Sequence, residues 1–310
     1  MEGIVTRSTG SWYTVRLSDG NRIECRLRGK IRLKGMRTTN PVAVGDNVKI
    51  ERGKNSTDSF ITALMPRKNY IIRKATKLSK SAHIIAANLH EVWIMASLAF
   101  PRTSRGFIDR LLITAEAYHI PAAILFNKID IYDSTLMRSL HHVTQLYTNI
   151  GYKCYHLSAL AGTGVDELRN ELAGKIVVIS GHSGVGKSQL LNALDPSLNL
   201  KTSELSLYHE RGKHTTTFSE LFELKNGGMI IDTPGIGEFS LTNFDRKEVW
   251  ERFPEMRAVS NGCRFNNCTH ILEPGCAVKI ALHDGRISPE RYESYLSIMN
   301  DAELDEKEWE

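Results

Sequence analysis

Gly181-His182-Ser183-Gly184-Val185-Gly186-Lys187-Ser188 is the stretch that decides the fold. It has the spacing G-x-x-x-x-G-K-S, with an apolar strand-like run, 175–180, before it and a helix-like segment, 189–194, after it. A chance glycine-rich turn would lack that flanking strand and helix. Glycines at these positions let backbone N–H groups wrap a phosphate chain, and the positive end of the following helix adds a favourable field. In such a loop Lys187 reaches the β- and γ-phosphates of a nucleoside triphosphate. The Ser188 hydroxyl holds Mg²⁺, and Gln189 lies beside them on the first turn of the helix.

Downstream, Asp232-Thr233-Pro234-Gly235 closes an apolar run, where the acid of a phosphate-loop enzyme belongs. Asp232 is expected to hold Mg²⁺ through water, and the Gly235 N–H to sense the γ-phosphate. Between the two motifs lies Arg211-Gly212-Lys213-His214-Thr215-Thr216-Thr217, and Thr216 is the threonine expected to complete the Mg²⁺ shell and act with Lys187 in catalysis. The position after Gly235, where Ras-type enzymes carry a water-orienting Gln, is Ile236, which cannot hydrogen-bond a water. His214 is the local candidate for that task, with contact to an anionic partner or plain exposure as the alternatives.

Upstream, Asn127-Lys128-Ile129-Asp130 and Ser158-Ala159-Leu160 each follow an apolar strand-like run. The Asp130 carboxylate can accept from the N1–H and exocyclic amine of guanine together, a donor pair that adenine does not present. Asn127 can bridge loops, the Lys128 stem can cover the base, and a backbone N–H of the second motif can reach the guanine carbonyl. Either motif alone is weak; with the phosphate loop they favour GTP over ATP. Their order is unusual, because Ras-type GTPases place both after the phosphate loop. Circular permutation keeps one site while moving the chain ends, and is tolerated when the old ends are close and at the surface.

The rest of the 310 residues divides around this centre. Residues 1–66 read as five short strands with polar turns, an OB-type β-barrel of the kind whose groove binds RNA. Residues 67–80 read as a basic linker, 81–242 as a P-loop α/β domain with permuted motifs, and 243–310 as a small, mainly helical metal-binding domain. In that last segment Cys263, Cys268, His270 and Cys276 offer three thiolates and an imidazole, the complement of one closed tetrahedral Zn²⁺ site per chain with a structural role. Iron–sulfur ligation, which a histidine in the set disfavours, and buried ordinary cysteines are the alternatives.

Charge is unevenly spread although the net value is only +5. Arg22, Arg26, Arg28, Lys30, Arg32, Lys34 and Arg37 face a single acid, Glu24, and are candidates for RNA phosphate contacts, or otherwise an exposed basic surface. No run is apolar enough for a membrane span and no signal peptide is legible, so a cytoplasmic location, no membrane partner and a monomeric state are the default expectations.

Taken together, the barrel, the permuted guanine motifs, Arg-Gly-Lys-His-Thr-Thr-Thr and Cys-x4-Cys-x-His-x5-Cys closely resemble the bacterial ribosome small subunit-dependent GTPase A family over essentially the whole chain. That resemblance implies GTP hydrolysis to GDP stimulated by the small ribosomal subunit, rRNA binding, a role late in small-subunit maturation, and Zn²⁺ at the Cys/His cluster. The residues by themselves reach a Mg²⁺-dependent, RNA-associated GTPase. They leave open an RNA-binding assembly factor that uses GTP only as a conformational tag, and a GTPase with a non-ribosomal partner.

Overall fold

The computed structural model describes residues 1–29, 41–53, 58–74, 82–200, 220–232 and 246–307. At the N-terminus β1 (Glu2–Ser8), β2 (Tyr13–Leu17), β3 (Arg22–Leu27), β4 (Asn47–Arg52) and β5 (Ser59–Leu64) alternate buried and solvent-facing side chains, the period of a sheet wrapped around one core. Their order is β1-β2-β3-β5-β4, and a β1–β4 pairing closes the barrel around Val5, Tyr13, Val15, Val48, Ile50 and Ile61. The stretch read as a linker begins as β6 (Tyr70–Lys74), which pairs antiparallel with β7 (Ala82–Ala87) in a two-stranded sheet of their own. The basic composition of 67–80 hid the Tyr70-Ile71-Ile72 run that forms this strand.

The central sheet is built from β8 (Glu91–Ala96), β9 (Ala122–Phe126), β10 (Lys153–His156), β11 (Ile176–Ser180), β12 (Glu220–Glu223) and β13 (Met229–Asp232) in the order β10-β9-β8-β11-β13-β12. All neighbours pair in parallel except β12 with β13, which join as a hairpin through Asn226-Gly227-Gly228. β8 and β11 are buried along their whole length, which explains why they read as unbroken apolar runs. One face is covered by α1 (Arg105–Ala117) and α2 (Ser134–Ile150), the other by α3 (Val165–Leu172) and α4 (Lys187–Leu194). Ser104 and Asp133 cap α1 and α2 by accepting from backbone N–H groups of the first turn.

Barrel and central sheet are continuous, because β12 pairs with β1 across Arg7 and Glu220. Arg16 of β2 reinforces this seam with an ion pair of 2.7 Å to Glu223. A second seam runs through Asp46, wholly buried, which accepts twice from the Arg67 guanidinium while Asn88 donates to Gly45 O.

The C-terminal segment holds a 3-10 turn at Arg246–Arg252, then α5 (Pro254–Ser260), α6 (Ala277–His283) and α7 (Pro289–Lys307). Its core of Val249, Phe253, Met256, Val278, Ala281, Ile287, Tyr295 and Ile298 also takes in Ile113 of α1. A segment this short gains apolar burial by borrowing a helix face from its neighbour. The expected three parts are therefore present, but they share sheet and core. Among the described residues no helix is long and apolar enough to cross a membrane.

Candidate functional site

The C-terminal ends of β8, β9, β10, β11 and β13 all open onto one edge of the sheet, the edge where open α/β folds place ligands. β11 ends at Ser180, the loop 181–186 follows, and α4 begins at Lys187. Gly186 caps the helix with φ +104°, and a Cβ there would collide with the Asn127 Nδ2 that lies against it. Val185 is buried in the α3/α4 core and anchors the loop, while Ser183 and Gly184 are exposed. Lys187 arches back over the loop, its Nζ donating to Gly181 O at 2.6 Å and His182 O at 2.8 Å. The His182 ring stacks on Phe107 of α1 at 3.6 Å between centroids. Burial, with the charge of Lys187, holds its pKa below the ordinary histidine value. Ser188 is nearly buried and Gln189 half-buried on the first turn of α4.

Asn127 connects the loops. Its Nδ2 donates to Val185 O at 2.9 Å and its Oδ1 accepts from Ala159 N at 2.9 Å, so one side chain joins the loops after β9, β10 and β11. Lys128 sits in the left-handed region at φ 67°, a conformation that favours glycine and that surrounding contacts must hold. Its Nζ donates to Gly184 O at 2.8 Å and to Phe100 O in the loop after β8. Asp130 lies exposed in a 3-10 turn, Ile129–Ile131, whose first N–H donates to Leu157 O. Ser158 is fully buried, its N–H given to Thr163 O and its Oγ accepting from Ala161 N, whereas Leu160 is 76% exposed. Asp232 ends β13, opposite Glu220 of β12 and one residue past the Val178–Ile231 pair with the phosphate-loop strand. Thr216, His214 and Gly235 lie outside the described residues.

The Cys/His cluster is a second constellation. Cys263, Cys268, His270 and Cys276 bring their ligand atoms within 4.8 Å of one another, and the cluster is compatible with a metal ion. His270 turns Nδ1 toward Cys276 Sγ at 3.4 Å and Cys263 Sγ at 3.6 Å, with its ring edge-on to Trp250. Burial, with the neighbouring Cys276 and Cys263, pushes the Cys268 thiol up to about 12. Glu273 braces the loop by accepting from Thr269 N, Thr269 Oγ1, Ile271 N and Leu272 N. Burial works against its charge, but these donors outweigh it and hold the carboxyl at about 2.

Of the basic candidates on the barrel, Arg22 sits 3.8 Å from Glu223 and Arg28 pairs with Glu51. The Arg26 guanidinium instead lies 4.0 Å over the half-exposed Trp12 ring and has no acidic partner among the described residues. Lys30, Arg32, Lys34 and Arg37 lie outside the described residues. Sequence reasoning missed the loop 97–103, Tyr132 and Phe107, all of which touch the loops at this edge; no motif spacing marks them.

Comparison with known proteins adds to this geometry. A family model described as the RsgA N-terminal domain matches residues 2–61, and one described as RsgA GTPase matches 64–242. A Bacteroides fragilis protein named small ribosomal subunit biogenesis GTPase RsgA is 51% identical over 303 residues, 98% of this chain and 97% of that one. A protein of the same name from Porphyromonas gingivalis is 48% identical over 305 residues, 97% of each chain. Among solved structures, YjeQ from Thermotoga maritima is similar at a TM-score of 0.80 and 32% identity, covering 97% of this chain and 98% of its own. YloQ, described as a circularly permuted GTPase, gives a TM-score of 0.76 at 29% identity over 97% of this chain and 94% of its own.

Proposed function

Since the chain belongs to the RsgA GTPase family, we propose that it binds GTP at the edge of its central sheet, hydrolyses it to GDP and phosphate, and acts in late maturation of the small ribosomal subunit. The observation that carries the site assignment is Asn127, whose side chain ties together the three loops that carry the phosphate and guanine motifs.

In this reading Asp130 accepts from the guanine N1–H and amine, the Lys128 stem lies along the base, and, with the Ala159 N–H held by Asn127, the Leu160 backbone N–H is the one offered to the guanine carbonyl. The N–H groups of 181–186 and the Lys187 ammonium hold the phosphates, Lys187 exchanging its two carbonyl partners for phosphate oxygens. Ser188, Thr216 and Asp232 would hold the Mg²⁺ that accompanies GTP, which when bound neutralises charge building on the β- and γ-oxygens. Gly235 contacts the γ-phosphate and His214 orients the attacking water.

Zn²⁺ fits the second cluster, since three soft thiolates and one imidazole nitrogen converge with no further position to fill. Cys263, Cys268, His270 and Cys276 would hold it, and it would supply the cross-link that a small shared core lacks. On the barrel, Arg26 with Trp12 and the basic residues around it contact rRNA. The protein acts as a cytoplasmic monomer without a membrane partner.

GTP turnover with and without purified small subunits, at matched salt and Mg²⁺, tests the reading. Strong stimulation by the small subunit alone is expected. Tight guanine-nucleotide binding with no stimulation would shift the function to a GTP-tagged assembly factor or to another partner.

A further inference from the structure

Tyr132 lies two residues beyond Asp130, where its backbone N–H closes the 3-10 turn on Ile129 O at 3.2 Å. Its half-buried phenol reaches away from that turn into the loop after β8. The phenol oxygen stands 2.9 Å from Asn127 O, 2.7 Å from Leu98 N and 3.1 Å from Ser97 Oγ. Each hydroxyl has one proton to give, and Ser97 Oγ lies 2.6 Å from Ala99 O. Both carbonyls are satisfied when Ser97 donates to Ala99 O and Tyr132 donates to Asn127 O, with Leu98 N–H donating to the phenol.

The loop that receives Tyr132 is itself rigid. Ser97 N donates to Thr103 Oγ1 at 3.1 Å and Thr103 N to Ser97 O at 2.7 Å, closing it on itself, and both residues are buried. Its next carbonyl outward, Phe100 O, receives Lys128 Nζ. The segment 127–132 is therefore clamped to this loop at two points, by Lys128 near its start and by Tyr132 at its end. Between the clamps lies Asp130, which is exposed and makes no side-chain hydrogen bond or ion pair among those of the described residues.

We propose that Tyr132 is a specificity-positioning residue: its phenol registers the Asn127–Asp130 turn against the loop after β8 and so holds Asp130 at the height where it meets the guanine edge. The proposal rests on the guanine-site reading above. Removing the phenol oxygen leaves Asn127 O and Leu98 N–H without their partner and frees the end of the turn. The loss falls on recognition of the base and much less on the phosphates, which are held from the other side of Asn127.

The test is Tyr132→Phe, which keeps the ring and its packing, probed with GDP and with IDP, whose base lacks the exocyclic amine. The expected result is about a tenfold weaker affinity for GDP, the effect of roughly one buried hydrogen bond, and a GDP-over-IDP preference reduced severalfold. In turnover, KM for GTP should rise by a similar factor while kcat falls much less. Unchanged GDP affinity would overturn the proposal, and so would an equal loss for GDP and IDP, which is what a merely structural defect produces. If the unmodified protein shows no preference for GDP over IDP, the guanine reading itself fails, and the two failures are distinguished.

Discussion

Two polar networks flank the first helix of the central sheet, and they are built in opposite ways. At the candidate guanine end, the half-buried Tyr132 exchanges neutral hydrogen bonds with Leu98 and the buried Ser97 and Asn127. At the seam with the C-terminal segment, Arg291 of α7 is wholly buried and its guanidinium donates to Asp109 of α1 and to Glu255 of α5. Tyr147 donates to Asp109 at 2.9 Å, and the Phe253 ring lies 4.5 Å from the guanidinium carbon. Burial works against the Arg291 charge, and the two carboxylates more than restore it, so its pKa is raised. Arg105, Asp109 and Ile113 recur every four residues, so one stripe of α1 meets the C-terminal segment through Glu290, Arg291 and its core.

The difference teaches where each network acts. A neutral network can lose one bond and remain folded without stranding a charge, so its loss appears in ligand affinity. A buried charge that loses its partner remains desolvated, so its loss appears in stability. Four experiments bear on that contrast.

The largest effect is expected from the Cys/His cluster beside the seam. Cys276→Ser, or a strong chelator, should release about one Zn²⁺ per chain by elemental analysis and abolish hydrogen-exchange protection in α5 and α6, since a structural site contributes folding energy outright. GDP binding should survive; its loss would mean that the two ends are not energetically separate. Next, Arg291→Met should cost about 3–5 kcal/mol in denaturant unfolding by leaving Asp109 and Glu255 buried without a cation. A loss below about 1 kcal/mol would remove the distinction drawn here.

At the guanine end, Asp130→Asn should weaken GTP binding about a hundredfold, roughly 2.7 kcal/mol, with little change in melting temperature. The same variant should gain affinity for xanthosine nucleotides, because xanthine presents a carbonyl where guanine has its amine. A variant that instead melts early would place Asp130 among the structural residues. The smallest effect belongs to Arg105→Ala, which breaks only the partly exposed 3.4 Å pair with Glu290 at the rim of the seam. About 0.5 kcal/mol or less is expected, and more would mean that the rim carries stability assigned above to Arg291.

The motifs of the candidate site are legible in the sequence because they sit at the ends of apolar strands. The run 175–180 ends at the phosphate loop and Ala122–Phe126 ends at Asn127, so motif spacing and the unbroken apolar runs before the motifs together located both turns. Tyr132 was not legible: an aromatic two residues past Asp130 looks like any core residue until the loop after β8 stands beside it. Arg291 was not legible either, since α7 carries it among ordinary polar residues and its carboxylate partners lie 36 and 182 positions away.

What the sequence by itself determined are the features carried by short spacing: the phosphate loop, the guanine motifs and their permuted order, the Cys/His cluster, and barrel strands of period two. Each is local, because a turn, a helix start or a chelating loop is specified by residues a few positions apart. What only the tertiary structure decided are the joins: β12 pairing with β1, Ile113 entering the C-terminal core, and the two networks beside α1. A join depends on which distant surfaces meet when apolar area is buried, and no local pattern encodes that choice.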